Sequence, residues 1–499
     1  MREYSTIAAI DLGSNSFRLQ VARVVGDQVY PLDSLKEPVR LGAGLTPEKF
    51  LDEEAQQRAL ACLKLFSERL RGLPREAVRV VGTNTFRVAK NAAPFLEAAQ
   101  AALGFPIEII AGREEARLIY IGVAHGLPPS ENKRLVVDIG GGSTEFIVGS
   151  GYQPERMESL YMGCVSFSRR FFPDGKITRD NLQLAELAAC SEIQTITADF
   201  SAGHWQQAIG SSGTARALAE ILEQNGLSQS GLTRDGLNSL RELLLKSGDV
   251  KLLQLAGLPS DRVPVLAGGF AIMNSIFSEL GIDHMEVASG ALREGVLYDL
   301  LGRFHHRDMR ESTVREFMRR YHVDPTQAGR VQELSDALFD QVANKLTGYI
   351  DAPRQYLAWA ARLHETGISI AHTGYHRHSA YILANADMPG FSTREQGLLS
   401  LLVRAHRGSL KKLLEQMPVR NSDEWMLILV LRLAVLLCRS RSDAELPAMK
   451  LKAGGSSFSL TIDRNWLEHN TLTRSLLENE IKDLKSVGIA FTIKTDKAL

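Results

Sequence analysis

Residues 135–149 read Leu-Val-Val-Asp-Ile-Gly-Gly-Gly-Ser-Thr-Glu-Phe-Ile-Val-Gly and carry the clearest structural signal in the chain. Two apolar, β-branched runs flank three successive glycines, which can adopt positive φ and expose their backbone amides in a tight turn. Converging amides form a concave anion site, and phosphate is its common occupant. Asp138 and Glu145 would repel a bare phosphate, so the pattern favours a Mg²⁺ ion between protein and phosphate. The alternative is an ordinary hairpin whose acids face water.

A second stretch near the N-terminus repeats this pattern. Residues 8–19 read Ala-Ala-Ile-Asp-Leu-Gly-Ser-Asn-Ser-Phe-Arg-Leu: an apolar strand, an acid, a glycine, a small polar turn and a second strand. Two such stretches in one chain predict a duplicated α/β fold whose turns face each other across a cleft. Asp11 and Asp138 would then belong to one clamp for a phosphate and its metal.

The composition is that of a globular protein with several domains. A chain of 499 residues exceeds one ordinary core, so we expect three or four domains. The formal net charge is zero and says nothing about an anionic partner. Four widely spaced cysteines without a CxxC pair fit reduced thiols in a cytosolic protein, and they suggest neither a disulfide framework nor a zinc site.

The sequence predicts neither a signal peptide nor a membrane span. The chain enters its first strand at once, which leaves no room for a signal peptide. The most apolar run, Trp425 to Cys438, is too short to cross a bilayer and contains Arg432. We therefore expect a core helix there.

Strand and helix patterns alternate up to about residue 302. Such alternation predicts a mostly parallel sheet, and the ligands of such sheets bind beyond the carboxyl ends of the strands. This rule places Asp11, residues 83–87, Glu115 and residues 138–145 along one edge. Residues 83–85 would form a loop, and a helix would start near Phe86.

Three charged side chains at helix starts are candidates for the chemistry. One of Glu114 and Glu115 should face the cleft and the other should face away, although both could merely stabilise the helix dipole. Arg87 could bridge phosphate oxygens with two hydrogen bonds, or it could form a surface salt bridge.

Three further strand ends carry glycine-rich loops. Residues 207–214 predict a strand and a small-residue loop, in which the amides of residues 211–214 meet a helix N-terminus that favours anions. Residues 263–269 predict a strand and glycine loop before a helix from Phe270 to Leu280, and residues 285–295 predict another such unit.

The pattern becomes helical after about Gly302. Residues 303–412 contain 16 Lys or Arg against 11 Asp or Glu, and eight of the twelve histidines. Those histidines are His305, His306, His322, His364, His372, His376, His378 and His406. This region is either an ordinary solvated helical domain or a basic surface that guides a polyanion. Beyond about Ser442 we expect a hairpin around Gly454-Gly455, a helix and a final strand.

Several motifs together resemble one protein family. Residues 9–17, 112–120, 137–145 and 290–295 resemble the exopolyphosphatase and guanosine pentaphosphate phosphatase family, within the sugar kinase, actin and heat-shock ATPase superfamily. His364-Glu365 and residues 376–383 are similar to the long proteobacterial exopolyphosphatases. The resemblance implies duplicated actin-like (ribonuclease H-like) α/β domains at 1–125 and 126–302 with a cleft between them. An all-α HD-like domain at 303–441 and a small α+β domain at 442–499 would follow.

The resemblance also implies an activity and a set of roles. The implied activity is the Mg²⁺-dependent, processive release of orthophosphate from the end of inorganic polyphosphate. Glu115 matches the catalytic base, Arg87 a catalytic, phosphate-contacting residue, and Asp138 and Glu145 the metal and water ligands. The phosphate-contacting positions are Asp11, Ser14, Asn15, Ser16, Gly140, Gly141, Gly142, Ser143, Ser211, Ser212, Gly213 and Thr214.

Partners and alternatives follow from the same resemblance. HD enzymes hold metal with a His-Asp pair, and His364-Glu365 stands here instead, so we expect a polyphosphate-guiding role without a second metal centre. We expect a cytoplasmic homodimer linked to the stringent response, with no nucleic-acid partner and with peripheral membrane association left open. One alternative is hydrolysis of guanosine pentaphosphate (pppGpp), alone or as a dual activity. Another is a kinase or an ATP-switched scaffold, although Glu115 stands where a kinase would carry an Asp base.

Overall fold

The chain forms two compact units, Met1–Met309 and Arg310–Leu499. The computed structural model describes residues 4–128, 130–304, 308–348, 350, 352–415, 417, 419, 421–443, 446–454 and 457–496. The predictions for His305, His306 and Gly455 lie outside these residues. The division into four domains stays a prediction.

The first unit contains two sheets of the same design. The first sheet has the order β3-β2-β1-β4-β5 and the second the order β10-β11-β9-β6-β7-β8. The strands are β1 (Thr6–Leu12), β2 (Phe17–Val25), β3 (Gln28–Glu37), β4 (Val78–Gly82), β5 (Glu108–Ile109), β6 (Arg134–Ile139), β7 (Thr144–Ser150), β8 (Gln153–Leu160), β9 (Gln207–Ser211), β10 (Leu232–Thr233) and β11 (His284–Val287). In both sheets three antiparallel strands continue into parallel ones, which confirms the duplicated α/β fold.

The central strands are buried on both faces. All six residues of β6 are buried, as are Ile7 to Ile10 of β1, so these strands read as continuous apolar runs rather than as alternating patterns. The second-to-last residue of β1 is Asp11 and that of β6 is Asp138. After each strand a short turn leads into its antiparallel partner. Asp11 and Asp138 therefore stand at equivalent places in the two sheets.

Helices cover both sheets. They are α1 (Glu53–Arg69), α2 (Asn84–Val88), α3 (Ala92–Leu103), α4 (Gly112–His125), α5 (Cys164–Phe171), α6 (Arg179–Ile193), α7 (Thr197–Phe200), α8 (Ser212–Gln224), α9 (Arg234–Ser247), α10 (Leu266–Leu280) and α11 (Leu292–Phe304). Helices α4 and α11 approach so closely that a Cβ added at Gly122 would lie 2.0 Å from the carbonyl oxygen of Ala291. A Cβ added at Gly295 would lie 1.7 Å from that of Leu118. Gly295 therefore serves helix packing.

Two local predictions are wrong. Val263–Val265 forms a short 3₁₀ helix that leads into α10 at Leu266, so the strand predicted there does not form. Because α10 is apolar on nearly every side, its periodicity could not separate a buried helix from a buried strand. Helix α2 begins at Asn84, so the predicted loop after β4 is shorter.

Helix α10 and the 3₁₀ turn before it form an apolar segment that must be compared with a membrane-spanning helix. Val263–Leu280 is long and apolar enough to cross a bilayer, but 67% of this window is buried inside the fold. It packs in the hydrophobic cluster beside the second sheet, with Leu218 and Phe146 among its members. This burial is typical of a core helix.

The second unit combines helices with a small sheet around one shared hydrophobic core. Its helices are α12 (Met309–Arg320), α13 (Pro325–Asp340), α14 (Pro353–Leu363), α15 (Tyr375–Asn385), α16 (Thr393–Ala405), α17 (Leu410–Leu414), α18 (Ser422–Leu437), α19 (Arg464–His469) and α20 (Thr471–Lys485). The sheet has the order β12 (Met449–Gly454), β13 (Ser457–Asp463), β14 (Ala490–Asp496). Helix α18 is the predicted core helix, and its buried Arg432 donates to Glu480 at 2.8 Å.

Candidate active site

Both glycine turns line one cleft in the first unit. The predicted residues that line it are Asp11, Ser14, Asn15, Ser16, Glu115, Asp138, Gly140, Gly141, Gly142, Ser143, Ser212 and Gly213. This confirms that the two acids at equivalent places, Asp11 and Asp138, face a shared groove. Four other predicted residues lie outside the lining: Arg87, Glu145, Ser211 and Thr214.

The turn between β6 and β7 is supported from behind by α5. The amide of Cys164 donates to the carbonyl of Gly140 at 2.9 Å, and that of Val165 donates to Gly141 at 3.0 Å. Within the described chain, the amides of Gly141 and Gly142 donate to no backbone carbonyl. These amides are available to an anion in the cleft.

The glycines of this turn serve close approach rather than unusual backbone angles. None of Gly140, Gly141 and Gly142 has a positive φ, so the predicted reason for the three glycines is wrong. A Cβ added at Gly141 would lie 2.9 Å from Cβ of Ser14, and one added at Gly142 would lie 2.4 Å from Oδ1 of Asn84. The two halves of the cleft meet here at distances that only glycine permits.

The carboxylates of the cleft are buried without sufficient compensation. Burial raises the pKa of Asp11 to about 7, with Glu115 and Asp138 adding to the effect against Arg18 and Arg293. Oδ1 of Asp11 is buried without a hydrogen-bond partner. Burial also raises the pKa of Asp138 to about 6, although a hydrogen bond from the side chain of Ser212 opposes the shift.

Glu145 lies behind these two acids. Its carboxylate accepts a hydrogen bond from Oγ of Ser159 at 2.8 Å, and its side chain is almost fully buried. Burial raises its pKa well above the usual value, and the nearby charges of Glu115 and Asp138 reinforce the shift. Four carboxylates therefore share one small, poorly solvated region.

Glu115 and Glu114 point in opposite directions, as predicted. Glu115 lines the cleft and accepts from Nη1 of Arg87 at 2.8 Å. Glu114 accepts two hydrogen bonds from Arg117, at 2.7 and 2.8 Å. Arg87 also donates to the carbonyl of Ile110 at 2.9 Å, so it holds the orientation of Glu115. A direct phosphate contact by Arg87 stays a prediction.

The start of α8 forms part of the cleft wall. Ser212 has a φ of 70°, a left-handed conformation that is uncommon for a residue other than glycine and is often found at functional sites. Ser211 donates to the carbonyl of Gly290 at 3.2 Å, and Thr214 donates to that of Ile139 at 3.0 Å. These two hydroxyls thus connect the loop to its surroundings, while Ser212 and Gly213 face the cleft.

Three arginines of the cleft were not predicted from the sequence: Arg18, Arg262 and Arg293. Asn84 also lines the cleft, and it belongs to the stretch 83–87 that the sequence placed along this edge. Arg18 stands directly opposite Asp11 in the register of β1 and β2, so a hairpin alignment could have found it. Arg262 had no such signal, because it comes from a distant loop. Its guanidinium lies so near Gly213 that a Cβ there would be 2.0 Å from Nη2.

The residues of the cleft fit a Mg²⁺ ion that is shared with a phosphate. No group of three or more His, Cys, Asp or Glu side chains in the described ranges is arranged to hold a metal on its own. Mg²⁺, however, is usually held by one or two carboxylates together with water and substrate phosphates. The unpartnered oxygen of Asp11 and the raised pKa of Asp138 are what a cation would relieve.

Comparison with known proteins agrees with this geometry. A model of the Ppx/GppA phosphatase family matches residues 20–304, and a model of Ppx/GppA phosphatase domain III matches residues 309–481. The solved structure of an exopolyphosphatase from Cytophaga hutchinsonii is 26% identical and has a TM-score of 0.53. That match covers 59% of this chain and 97% of the other chain. An exopolyphosphatase-like protein matches at 24% identity and a TM-score of 0.55, covering 61% of this chain and 100% of its own, and supports the fold alone.

Proposed function

Because this chain belongs to the Ppx/GppA phosphatase family, we propose that its cleft hydrolyses the terminal phosphoanhydride bond of inorganic polyphosphate and releases orthophosphate. The observation that carries the proposal is the composition of the cleft. Buried, undercompensated acids lie beside a turn with available amides and beside three arginines. Such a site neutralises a chain of phosphates while it holds a cation next to the scissile group.

The reaction is an in-line attack of water on the terminal phosphorus. A new P–O bond forms to the water oxygen, the bond to the bridging oxygen breaks, and the shortened chain leaves with the bridging oxygen. Glu115 is the acceptor for the proton of the water, and its ion pair with Arg87 orients the carboxylate. The amides of Gly141 and Gly142 would stabilise the charge on the equatorial oxygens.

A Mg²⁺ ion would be held by Asp11 and Asp138, with Glu145 behind them. When bound, it neutralises phosphate charge at the reacting centre. Arg18, Arg262 and Arg293 line the same cleft and would bind phosphate oxygens of the chain. Glu145 accepts from Ser159, so its role is to orient the water or the other ligands rather than to contact the chain.

The decisive experiment is phosphate release by Glu115→Gln. We expect kcat to fall about 10²- to 10⁴-fold on long-chain polyphosphate, because the proton acceptor is lost while the shape of the side chain is kept. Glu97→Gln, the same change at an exposed position of α3, is the matched control and should keep full activity. Full activity of Glu115→Gln with an intact fold would remove this residue from the mechanism.

The same assay separates the alternatives. Release of orthophosphate without ADP would exclude a polyphosphate-dependent kinase. A higher kcat/KM for pppGpp than for polyphosphate, measured side by side, would replace our substrate by the nucleotide. Processive action, the homodimer, the cytoplasmic location and the link to the stringent response stay predictions from the resemblance.

A further inference from the structure

Strand β3 is the outer strand of the first sheet, and two of its side chains contact distant segments of the same unit. Nζ of Lys36 lies 2.9 Å from Oδ2 of Asp261, which is 225 residues further along the chain. Oγ of Ser34 accepts a hydrogen bond at 3.2 Å from Nη1 of Arg293, which is 259 residues further along. Ser34 and Lys36 are two residues apart, so both side chains leave the same face of the strand.

Both contacted segments supply an arginine to the cleft. Arg262 directly follows Asp261, and Arg293 is itself one of the contacted residues; both arginines line the cleft. The third cleft arginine, Arg18, stands directly opposite Lys36 in the register of β2 and β3. The three arginines that were not predicted from the sequence therefore all adjoin one short stretch of β3.

The guanidinium of Arg262 packs against backbone and keeps its donors free. A Cβ added at Gly213 would lie 2.0 Å from Nη2 and 2.9 Å from Nη1, so the group lies directly on this glycine. Among the described residues, the guanidinium donates no hydrogen bond, and its ion pair is the long one in which Nε lies 4.0 Å from Oδ2 of Asp261. Its N–H groups are therefore available to phosphate oxygens.

Lys36 keeps Asp261 from pairing closely with Arg262. The hydrogen bond from Lys36, opposed by burial and reinforced by the charges of Lys36 and Arg262, lowers the pKa of Asp261, so this acid is ionised at neutral pH. The lysine lies at 2.9 Å and the arginine at 4.0 Å from the same carboxylate oxygen. Lys36 thus occupies a carboxylate that would otherwise compete with phosphate for Arg262.

The backbone around Arg262 is held on its other side by the start of α10. The amide of Arg262 donates to the carbonyl of Pro259 at 2.9 Å, and the amide of Val265 donates to the carbonyl of Arg262 at 3.0 Å. This turn leads directly into α10, which is buried in the core. The place of Arg262 is therefore set by two anchors, the core helix that follows it and the ion pair of Lys36 with the residue before it.

We propose that Lys36 and Ser34 are positioning residues for the cleft. Lys36, through Asp261, holds Arg262 where it binds phosphate oxygens of the substrate chain. Ser34 holds Arg293 in the same way. Neither Ser34 nor Lys36 lines the cleft, so neither contacts the substrate in this proposal. The inference rests on the proposed function, because that function assigns the two arginines to the phosphate chain.

The first test is the steady-state kinetics of orthophosphate release from long-chain polyphosphate. For Lys36→Met we expect KM to rise about 2- to 5-fold, the size of a partly exposed ion pair, with kcat nearly unchanged, because binding rather than chemistry is impaired. Ser34→Ala should also raise KM, because Arg293 loses the acceptor that orients it. Asp33→Asn is the matched control and should change neither constant, since Asp33 lies on the opposite face of β3 beside Arg69. An unchanged KM in both test variants would overturn the proposal.

Two double variants distinguish positioning from direct contact with the substrate. Lys36→Glu should raise KM more than Lys36→Met does, because two carboxylates then repel each other, and adding Asp261→Lys should restore the parent value. In a chain carrying Arg262→Gln, Lys36→Met should raise KM no further, because the group that it positions is gone. If the full effect of Lys36→Met persists in that chain, or if the exchanged pair restores nothing, the proposal is wrong.

Binding without turnover keeps this inference separate from the proposed reaction. In a full-length chain carrying Glu115→Gln, Lys36→Met should weaken the binding of tripolyphosphate about 2- to 5-fold by calorimetry, at the site that Arg262→Gln also weakens. If polyphosphate is not hydrolysed but this loss is observed, the positioning role holds and the proposed reaction fails. If polyphosphate is hydrolysed but Lys36→Met only lowers the unfolding temperature, Lys36 is structural and the positioning role is wrong.

Discussion

The first unit contains two groups of buried carboxylates with opposite environments. In the cleft, Asp11 has an unpartnered oxygen and a pKa raised to about 7 by burial. Asp299, in α11, accepts from Arg79 at 2.5 Å and from Arg117 at 2.5 Å. Although burial opposes it, the charges of Arg117 and Arg79 hold the pKa of Asp299 below its usual range.

Burial alone therefore does not identify a carboxylate that belongs to a functional site. Asp299 and its arginines form a complete ion network, which also includes Glu114, and the network belongs to the fold. Asp11 and Asp138 are instead short of positive charge, and a cation with its phosphate would supply it. The contrast predicts substitutions whose effects on stability have opposite signs.

The largest expected effect is that of Asp299→Asn. The change leaves Arg79 and Arg117 buried without their shared acid, so we expect a loss of about 3–5 kcal/mol in the free energy of unfolding. Urea denaturation, followed by circular dichroism, measures it. A loss below about 1 kcal/mol would mean that the network contributes little, and the contrast with the cleft would fail.

Replacement by alanine should have different effects at Gly122, which packs against the start of α11, and at Gly142, which lies in the cleft. Gly122→Ala places a Cβ against the backbone of α11, which cannot move aside, so we expect a loss of about 1–3 kcal/mol. Gly142→Ala meets the side chain of Asn84, which can rotate, and should cost less stability but weaken phosphate binding. Unfolding and product inhibition by orthophosphate, measured on both variants, check this. Equal losses of stability would contradict it.

Removing an acid from the cleft should stabilise the metal-free protein. For Asp11→Asn at a pH near 8, without Mg²⁺, we expect a gain of about 1–2 kcal/mol, because an undercompensated buried charge disappears. Saturating Mg²⁺ should stabilise the wild type more than the variant. If Asp11→Asn were instead less stable without metal, Asp11 would be a structural residue.

The pH dependence of stability should also differ between the two groups of acids. The raised pKa of Asp11, about 7, and that of Asp138, about 6, mean that the folded chain holds protons that the unfolded chain has lost above about pH 4. Their contribution to stability therefore falls as pH rises from about 4 to about 7, by at most about 1.4 kcal/mol per pH unit and group. Asp299 contributes in the opposite direction, because its lowered pKa gives stability that is lost only in more acidic solution.

The difference in unfolding free energy between the wild type and Asp11→Asn isolates the pH dependence that Asp11 contributes. Measured without metal between about pH 5 and about pH 8, the stability advantage of the variant should grow with pH. A constant difference over this range would show that Asp11 does not titrate there.

Much of the fold could be predicted because its signals are local. In each of the two hairpins, the apolar strand and the turn that follows it lie within about fifteen residues of sequence. Both hairpins, β1 with β2 and β6 with β7, formed as expected. The helix predicted from Phe270 to Leu280 did form, but residues 263–269 were misassigned to a strand and a glycine loop, because a short run that is apolar on all sides fits a buried helix as well as a buried strand. Only packing against neighbouring helices makes it helical.

The sequence by itself determined the duplicated sheets, the two facing acids and the opposite directions of Glu114 and Glu115, since strand and helix periods fix where neighbouring side chains point. Only the tertiary structure decided the rest. It placed Arg262 against Gly213, closed the ion network around Asp299 and brought Lys36 to Asp261. These outcomes depend on segments far apart in the chain, and the charge balance of a buried group is a property of all the residues that surround it.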